Sequence, residues 1–198
     1  MGRKKLTEEE KDQFRTELLD AALTLFAEDG YEAVSMRALA TQAGCSAMTP
    51  YRYFEDKAAI FDACRCRAFE AFAEAQESTA ALHSDPLKRL SALGEAYTAY
   101  ADQHPHAFRL MFELDQPKAS SKDLVQAERR AFNTLKQAVI EGVEMGYLKG
   151  DPNTLAHLYW TSLHGVVVLD LTGKLVHGRS KRTLLRSLFD GAFTSARS

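Results

Sequence analysis

Apolar residues recur along this chain at intervals of three and four, the spacing that lines up side chains on one face of an α-helix. The first stretch shows the pattern whole. Phe14, Leu18, Ala22, Leu25 and Phe26 form one stripe, Thr7 followed by Glu8, Glu9 and Glu10 supplies an N-cap with carboxylates where the helix dipole favours them, and Gly30 stands where a C-terminal glycine belongs. A helix from about Thr7 to Asp29 is predicted, preceded by a small basic arm, Gly2 to Lys5. Ser35 caps a second, short helix with inward positions Leu39, Ala40 and Ala43, and Gly44 stops it. A third short helix follows in Gly44 to Phe54, GCSAMTPYRYF, with Ser46 as its cap and Pro50 near the limit of where a helix tolerates proline. Glu55 and Asp56 end it and cap a fourth, in which Ile60, Phe61, Cys64, Ala68, Phe69 and Phe72 make a broad apolar face.

Beyond Ala81 the segments lengthen and charge spreads evenly. Asp85-Pro86 reads as cap and first helical residue of a helix carrying Leu87, Leu90, Leu93, Tyr97 and Tyr100, and it ends near His104. Pro105 starts another, with Phe108, Met111 and Phe112, and the polar run Asp115 to Ser121 is a loop. Ser121 or a neighbour opens a long helix through Leu124, Ala131, Leu135, Val139 and Val143, closed by Gly146. Asp151-Pro152 repeats the cap-plus-proline start. Val166, Val167 and Val168 have strand propensity, but the length and the clear start of that segment favour a helix to about Thr172. The last helix, from Lys181 to about Ala196, aligns Leu184, Leu185, Leu188, Phe189, Ala192 and Phe193. The fold class is all-α, with about nine helices, no internal repeat and no low-complexity tract.

Composition agrees with this pattern. The chain has 198 residues, 45% of them hydrophobic and 26% charged, and only five are proline, as befits a globular helical protein. Its N-terminal stretch is polar and no apolar run approaches the roughly 18 residues that span a bilayer, so a cytoplasmic protein without a membrane partner is expected. Cys45, Cys64 and Cys66 give neither a disulfide framework nor a spaced metal set, and Cys64 and Cys66 read as packing residues, with thiol sensing as the alternative. The formal net charge of -2 supplies no general attraction to nucleic acid, yet not one Asp or Glu occurs from Val34 to Phe54, where Arg37 and Arg52 lie. Such a window in an acid-rich chain predicts a surface that meets something negative.

Two short helices joined by a glycine-containing turn, with a longer helix before them, make a helix-turn-helix arrangement. The segment LLDAALTLFAEDGYEAVSMRALATQAGCSAMTPYRYFEDKAAIF resembles the DNA-binding domain of the TetR (tetracycline-repressor) family of bacterial transcription regulators. The specific elements are Phe26 with Gly30-Tyr31, Leu39-Ala40, Ala43-Gly44, and Tyr51-Arg52-Tyr53-Phe54 followed by Lys57. HPHAFRLMF at His104 to Phe112 also fits, and WTSLHG at Trp160 to Gly165 looks like the Trp, His-Gly signature of one C-terminal subgroup. The resemblance implies a helix-turn-helix domain over residues 1–57 and a ligand-binding and dimerisation domain over 58–198. It further implies a homodimer, a double-stranded DNA operator with two half-sites, and a small-molecule ligand that alters DNA affinity; repression is the commoner outcome in the family. Pro50 departs from the Leu or Ile usual at its position. A slightly shifted helix start is expected there, with the bond to the Ser46 carbonyl lost.

By position in that motif, Ser35, Ser46, Tyr51, Tyr53 and Lys57 are expected at phosphates, which fix register. Arg37, Ala47, Met48 and Thr49 are expected at base edges, Arg37 through guanine, Thr49 through an edge or a thymine methyl, and Ala47 and Met48 through apolar contact only, while Arg52 points elsewhere on the helix. The bland alternatives are core packing for the tyrosines and a solvated charge for Arg37. In the C-terminal half most aromatics must be core, and Tyr97, Tyr100, Met111, Phe112 and Trp160 are expected to line a mainly apolar cavity. His164 is read both as a hydrogen-bonded structural histidine and as a member of that ligand set. His157 and His164 share a helix face, but with no carboxylate or cysteine at ligand spacing no metal or cofactor is expected. Leu163, Val166, Val167 and Leu171 with Leu184, Leu188, Phe189 and Phe193 are expected to pair with their copies through the last two helices, or else to fill the monomer's own core.

No nucleophile elbow, phosphate loop, HExxH or paired-carboxylate motif appears, which argues against an enzyme. The remaining rival is a ligand-binding or protein-interaction module whose helix-turn-helix no longer reads DNA.

Overall fold

The computed structural model describes residues 7–112 and 121–191, with side chains as far as Leu188. Within these residues the chain forms α1 (Glu8–Asp29), α2 (Met36–Gln42), α3 (Lys57–Ala81), α4 (Pro86–Gln103), α5 (Pro105–Phe112), α6 (Lys122–Glu144), α7 (Pro152–Leu171) and α8 (Lys181–Gly191). There is also one 3-10 turn, Pro50–Arg52. The architecture is all-helical. The basic arm, most of the polar run before α6, and the positions Ala192 and Phe193 lie outside the described residues.

Local chemistry sets the boundaries. Thr7 and Glu10 form a capping box, each side chain bonded to the other's backbone N–H at 3.1 and 2.8 Å. Ser35 accepts from the Ala38 N–H at 3.1 Å, Asp56 from Ala59 at 2.8 Å, Asp85 from Leu87 and Lys88, Ser121 from Leu124, and Asp151 from Thr154 at 2.7 Å. Each satisfies an N–H that its helix leaves without an internal partner. α2 closes in a Schellman motif, in which Gly44 bonds back to Thr41 and Cys45 to Ala40. Gly44 has φ +65°, the left-handed conformation that this closure needs and that a side chain disfavours.

Backbone packing divides the chain into two units. The first takes residues 1–70 and 104–128, the second 71–103 and 129–198. This division follows packing, whereas the expected one at Lys57 follows the helix-turn-helix signature, and the two do not coincide. In the first unit Leu18, Leu19, Ala22 and Phe26 of α1, Leu39 of α2, Ile60, Phe61 and Cys64 of α3 and Leu110 of α5 build one core with Val34 and Phe54. Arg109 of α5 donates to the Ala27 carbonyl at 2.6 Å, which satisfies an acceptor near the α1 C-terminus.

In the second unit α4 contributes Leu90, Leu93, Tyr97 and Tyr100, α6 Ala138 and Val139, and α7 Ala156, Tyr159, Leu163 and Val167. The Tyr159 hydroxyl donates to the Leu90 carbonyl, tying α7 to α4. Gly142 is needed for a different reason from Gly44: a Cβ there would stand 2.9 Å from Leu148 Cδ1, where the chain folds back after α6. α7 carries Val166 to Val168 as helix, as its cap and length require.

Two expectations are corrected. Among the described residues eight α-helices are seen, in keeping with the about nine expected, but the segment from Ser46 to Phe54, expected as a short α-helix with a shifted start, forms a 3-10 turn at Pro50–Arg52 instead. Pro50 has no N–H to give the Ser46 carbonyl, and its ring crowds that carbonyl, so the regular ladder cannot start. The chain tightens instead: Thr49 N bonds Ser46 O at 2.8 Å, Arg52 N bonds Thr49 O at 3.1 Å and Tyr53 N bonds Pro50 O at 3.0 Å, each spanning three residues. Phe54 N reaches Pro50 O at 3.0 Å, the last bond of the segment. The second correction concerns Ser46. Its hydroxyl pairs with that of Thr49 at 2.7 Å and does not cap a helix.

Candidate nucleic-acid interface and ligand site

α1, α2 and the turn at Pro50 present the expected residues in distinct settings. Pro50 and Phe54 are buried and pin the segment to the first unit's core. Between and around these anchors Ala47, Met48, Tyr51 and Arg52 are exposed, as are Arg37 and Ser46, while Thr49 is half-buried. Met48 is 70% exposed and Tyr51 49%, so neither is committed to the core of the unit. Ser35 is exposed but its hydroxyl already accepts the α2 cap bond, and it keeps its own O–H for another partner.

Two expected phosphate contacts have structural duties as well. Tyr53 is half-buried, its ring 4.9 Å from that of Phe14. Lys57 donates from Nζ to the Tyr31 carbonyl at 2.7 Å and sits over the Tyr31 ring at 4.2 Å, so it clamps the link between α1 and α2. Arg15 was not anticipated. It is exposed on α1 with its guanidinium 4.8 Å from the Phe54 ring centroid, which places another cation beside the segment that follows Pro50. A basic residue among the acids of α1 is the one sequence signal that could have pointed to it.

The ligand candidates fall in different units. Met111 and Phe112 belong to the first, where Phe112 packs at 5.5 Å on Phe69 and 5.0 Å on Phe108. Tyr97, Tyr100, Trp160 and His164 belong to the second. There Phe72 lies edge-on against Tyr97 and Tyr100, at 5.4 and 5.1 Å, and Trp160 lies 6.0 Å from His164. The Tyr97 hydroxyl and His164 Nδ1 are 2.7 Å apart. Burial pushes the Tyr97 hydroxyl well above its ordinary range, although a hydrogen bond from Trp160 opposes that rise. Burial also lowers the His164 pKa, which favours the neutral ring. An indole only donates, so Tyr97 accepts from Trp160 while its hydroxyl also pairs with His164 Nδ1. The WTSLHG motif thus places a tryptophan and a histidine, one turn apart, on one tyrosine.

The protonated His164 ring is disfavoured in the fold, and that makes stability depend on pH. The unfolded chain takes up the proton near the ordinary value of 6.5 and the folded chain only below it. Stability is therefore full above about pH 6.5 and falls as pH drops toward the folded value. Melting temperatures of the wild type should decline from pH 7 to pH 5 more steeply than those of His164→Gln, and parallel profiles would show that another group is responsible.

The thiols are poor sensors. Burial raises Cys64 to about 12, and burial together with Glu70 raises Cys66 to about 11, so neither offers thiolate at neutral pH. Among the described residues no group of three or more His, Cys, Asp and Glu could hold a metal ion, and no helix is long and apolar enough to cross a membrane. A surface groove of about 700 Å³ runs past the α7 C-terminus and is bordered by Leu169, Lys174, Leu175, Val176, Arg179 and Leu184. None of the six ligand candidates lines it. Of the expected pairing surface, Leu163 and Val167 are committed to the core of their own unit, Val166, Leu184 and Leu188 are half-buried, and Leu171 is exposed. Phe189 and Phe193 lie outside the described side chains. Leu158 and Leu169 are exposed on α7 as well.

Comparison with known proteins places this geometry. Residues 18–64 match the family described as bacterial regulatory proteins, tetR family, and residues 90–192 match tetracyclin repressor-like, C-terminal domain. The HTH-type transcriptional activator FasR of Mycolicibacterium smegmatis is 28% identical over 121 residues, 60% of this chain and 55% of that one. The HTH-type transcriptional repressor KstR of Rhodococcus jostii is 39% identical over 70 residues, 35% of this chain and 33% of that one. The chain thus spans about half the length, or less, of these curated relatives. Among solved structures, a protein of unknown function from Rhodococcus sp. RHA1 has TM-score 0.78 at 26% identity, covering 89% of this chain and 92% of that one. The transcriptional regulator FadR of Bacillus subtilis, solved in complex with stearoyl-CoA, has TM-score 0.72 at 19% identity, covering 89% and 98%, a likeness of fold.

Proposed function

Because the chain belongs to the TetR family of bacterial regulatory proteins, we propose that it is a ligand-responsive transcriptional regulator, a repressor that binds a palindromic operator as a homodimer. The observation that carries this is that Arg37, Ala47, Met48, Tyr51 and Arg52 are each exposed in the stretch from Val34 to Phe54, which contains no Asp or Glu and whose Pro50 and Phe54 are buried. Arg52 and the remaining donor capacity of Lys57 neutralise phosphates, the hydroxyls of Ser35, Ser46, Tyr51 and Tyr53 donate to them, and Arg37 and Thr49 stand near the base edges. Two copies pair through α7 and α8, whose exposed Leu158, Leu169 and Leu171 need cover, and hold their reading segments about 34 to 36 Å apart. A small, mainly apolar effector is held against Tyr97, Tyr100, Trp160 and His164. It lowers DNA affinity by favouring a state with a different spacing of the two reading segments. The protein acts on cytoplasmic DNA and performs no turnover.

The test is retardation of the DNA upstream of the chain's own gene. Wild-type protein is expected to shift it at low salt. Tyr51→Phe is expected to weaken binding about fivefold, the effect of one hydrogen bond of about 1 kcal/mol, and Lys57→Ala to lower the salt slope by about one. Unchanged affinity and slope in both variants would remove the phosphate assignments, and sedimentation as a monomer at micromolar concentration would remove the dimer. One observation favours a second reading: the segment at Pro50 forms no α-helix, which suits a ligand-binding or protein-interaction module without DNA readout. Failure to retard any upstream DNA at low salt selects that reading.

A further inference from the structure

Tyrosines apart, Gln76 is the buried polar side chain of the second unit among the described residues. It is 4% exposed on α3, and its Nε2 has no hydrogen-bond partner there. A carboxamide nitrogen only donates, and keeping it dry and unbonded costs stability that an apolar side chain of the same size would not. Its place on the helix says what it faces. Gln76 stands one turn after Phe72 on the same face of α3, and helical side chains lean back toward the N-terminus, so its amide reaches over the turn that carries Phe72. The Phe72 ring lies edge-on against Tyr97 and Tyr100, at 5.4 and 5.1 Å. The unbonded donor thus borders the cluster of Tyr97, Tyr100, Trp160 and His164. Other polar groups at this place are engaged: the Tyr97 hydroxyl with Trp160 and His164, and the Tyr159 hydroxyl with the Leu90 carbonyl. A buried water needs about two to four polar partners, and Phe72 and Ala73, one turn back from Gln76, offer it no side-chain bond.

We propose that Gln76 is the specificity-determining donor of the effector site, and that the effector is an uncharged, mainly apolar compound whose carbonyl oxygen accepts from Nε2. The inference rests on the reading of the aromatic cluster as the effector site. An acceptor is required because the unbonded atom is a donor. An uncharged one is required because a carboxylate would be buried beside a neutral amide with no cation to pair it. Arg130 is bonded to Glu77 through both Nε and Nη2, where both side chains reach solvent. His164 is held toward its neutral form by burial, and the buried Arg65 belongs to the other unit. The rest of the compound meets the rings of Phe72, Tyr97, Tyr100 and Trp160, which favour an apolar or aromatic body.

The experiment titrates three matched probes, acetophenone, ethylbenzene and benzoate, into the full chain carrying isotopically labelled nitrogen. The chain has one tryptophan, so a single indole N–H signal reports on Trp160. Acetophenone is expected to bind wild type more tightly than benzoate does. Gln76→Met keeps the length of the side chain and removes the donor, so it should weaken acetophenone about tenfold and leave ethylbenzene unchanged. The variant should melt at or above the wild-type temperature, because it deletes a donor that the fold leaves unbonded. Benzoate binding wild type as tightly as acetophenone, or equal effects of Gln76→Met on acetophenone and ethylbenzene, overturns the inference and leaves the effector reading standing. So does a variant that melts well below wild type, which would show the amide to be bonded within the fold. If none of the three probes moves the Trp160 signal, the cluster holds no effector and the inference falls with that reading.

Discussion

Replacing Phe61 with alanine is expected to destabilise the first unit by about 3–5 kcal/mol, the range for deleting a fully buried phenylalanine. The Phe61 ring has no exposed surface and meets the Phe26 ring edge-on at 4.9 Å and the Tyr31 ring at 4.9 Å. These contacts join α3 to the end of α1 and to the link that leads into α2, so the void would open where the helix-turn-helix is braced. Lys57, which bonds the Tyr31 carbonyl and covers its ring, would lose the support beneath it. Against a total stability of about 5–15 kcal/mol the loss is a large fraction. A conservative Phe61→Leu, which keeps most of the volume, should lose much less. Urea unfolding followed by circular dichroism checks the pair. A midpoint unchanged in Phe61→Ala would mean that α3 is not anchored through this ring, and operator binding is expected to fail in step with stability.

Much of this bracing was legible in the sequence because helix ends are decided locally. Thr7, Ser35, Asp85 and Asp151 cap their helices as their positions before apolar-periodic runs predict, since each needs only an N–H two or three residues ahead. Gly44 is equally local. Even Val166 to Val168 reads correctly once the Asp151 cap and the segment's length outweigh β-branched propensity. The segment at Pro50 was the local exception. The rule that proline removes one bond and crowds a carbonyl was available, but resemblance to a family with a regular helix there argued for a mild shift, and the structure shows the ladder replaced by three-residue turns.

Side-chain roles in the candidate site were less legible for a different reason: their partners are far away in sequence. Lys57 finds the Tyr31 carbonyl 26 residues back, and Tyr97 finds His164 67 residues on. No periodicity encodes such pairs. The aromatic positions Tyr97, Trp160 and His164 could be picked as a group, yet only the fold shows them sharing one hydroxyl. The same holds for α7, where the stripe of Leu163 and Val167 could serve a dimer or a core equally well until packing placed it inside.

Arg65 was invisible for this reason, and it supports the second large expected effect. Its side chain is only 4% exposed, with Nη2 2.8 Å from Glu128 Oε1, whose own side chain is 36% exposed. Nε has no hydrogen-bond partner among the described residues. Burial lowers the guanidinium's pKa, while Glu128 and Asp62 oppose that change. Glu128→Leu strips a desolvated cation of its bonded counter-charge and is expected to destabilise by about 2–3 kcal/mol, below the full figure for a wholly buried pair because Glu128 reaches solvent. Arg65→Met removes the buried charge and the unpaired Nε together and fills the space with an unbranched apolar chain. It is expected to lie within about 1 kcal/mol of wild type or to be more stable, since Glu128 can then be hydrated where it stands. The double variant should resemble Arg65→Met and not the sum of the two singles. Urea midpoints of all three variants decide the matter: if Arg65→Met lost as much as Glu128→Leu, the ion pair would be a net source of stability and the burial argument would fail.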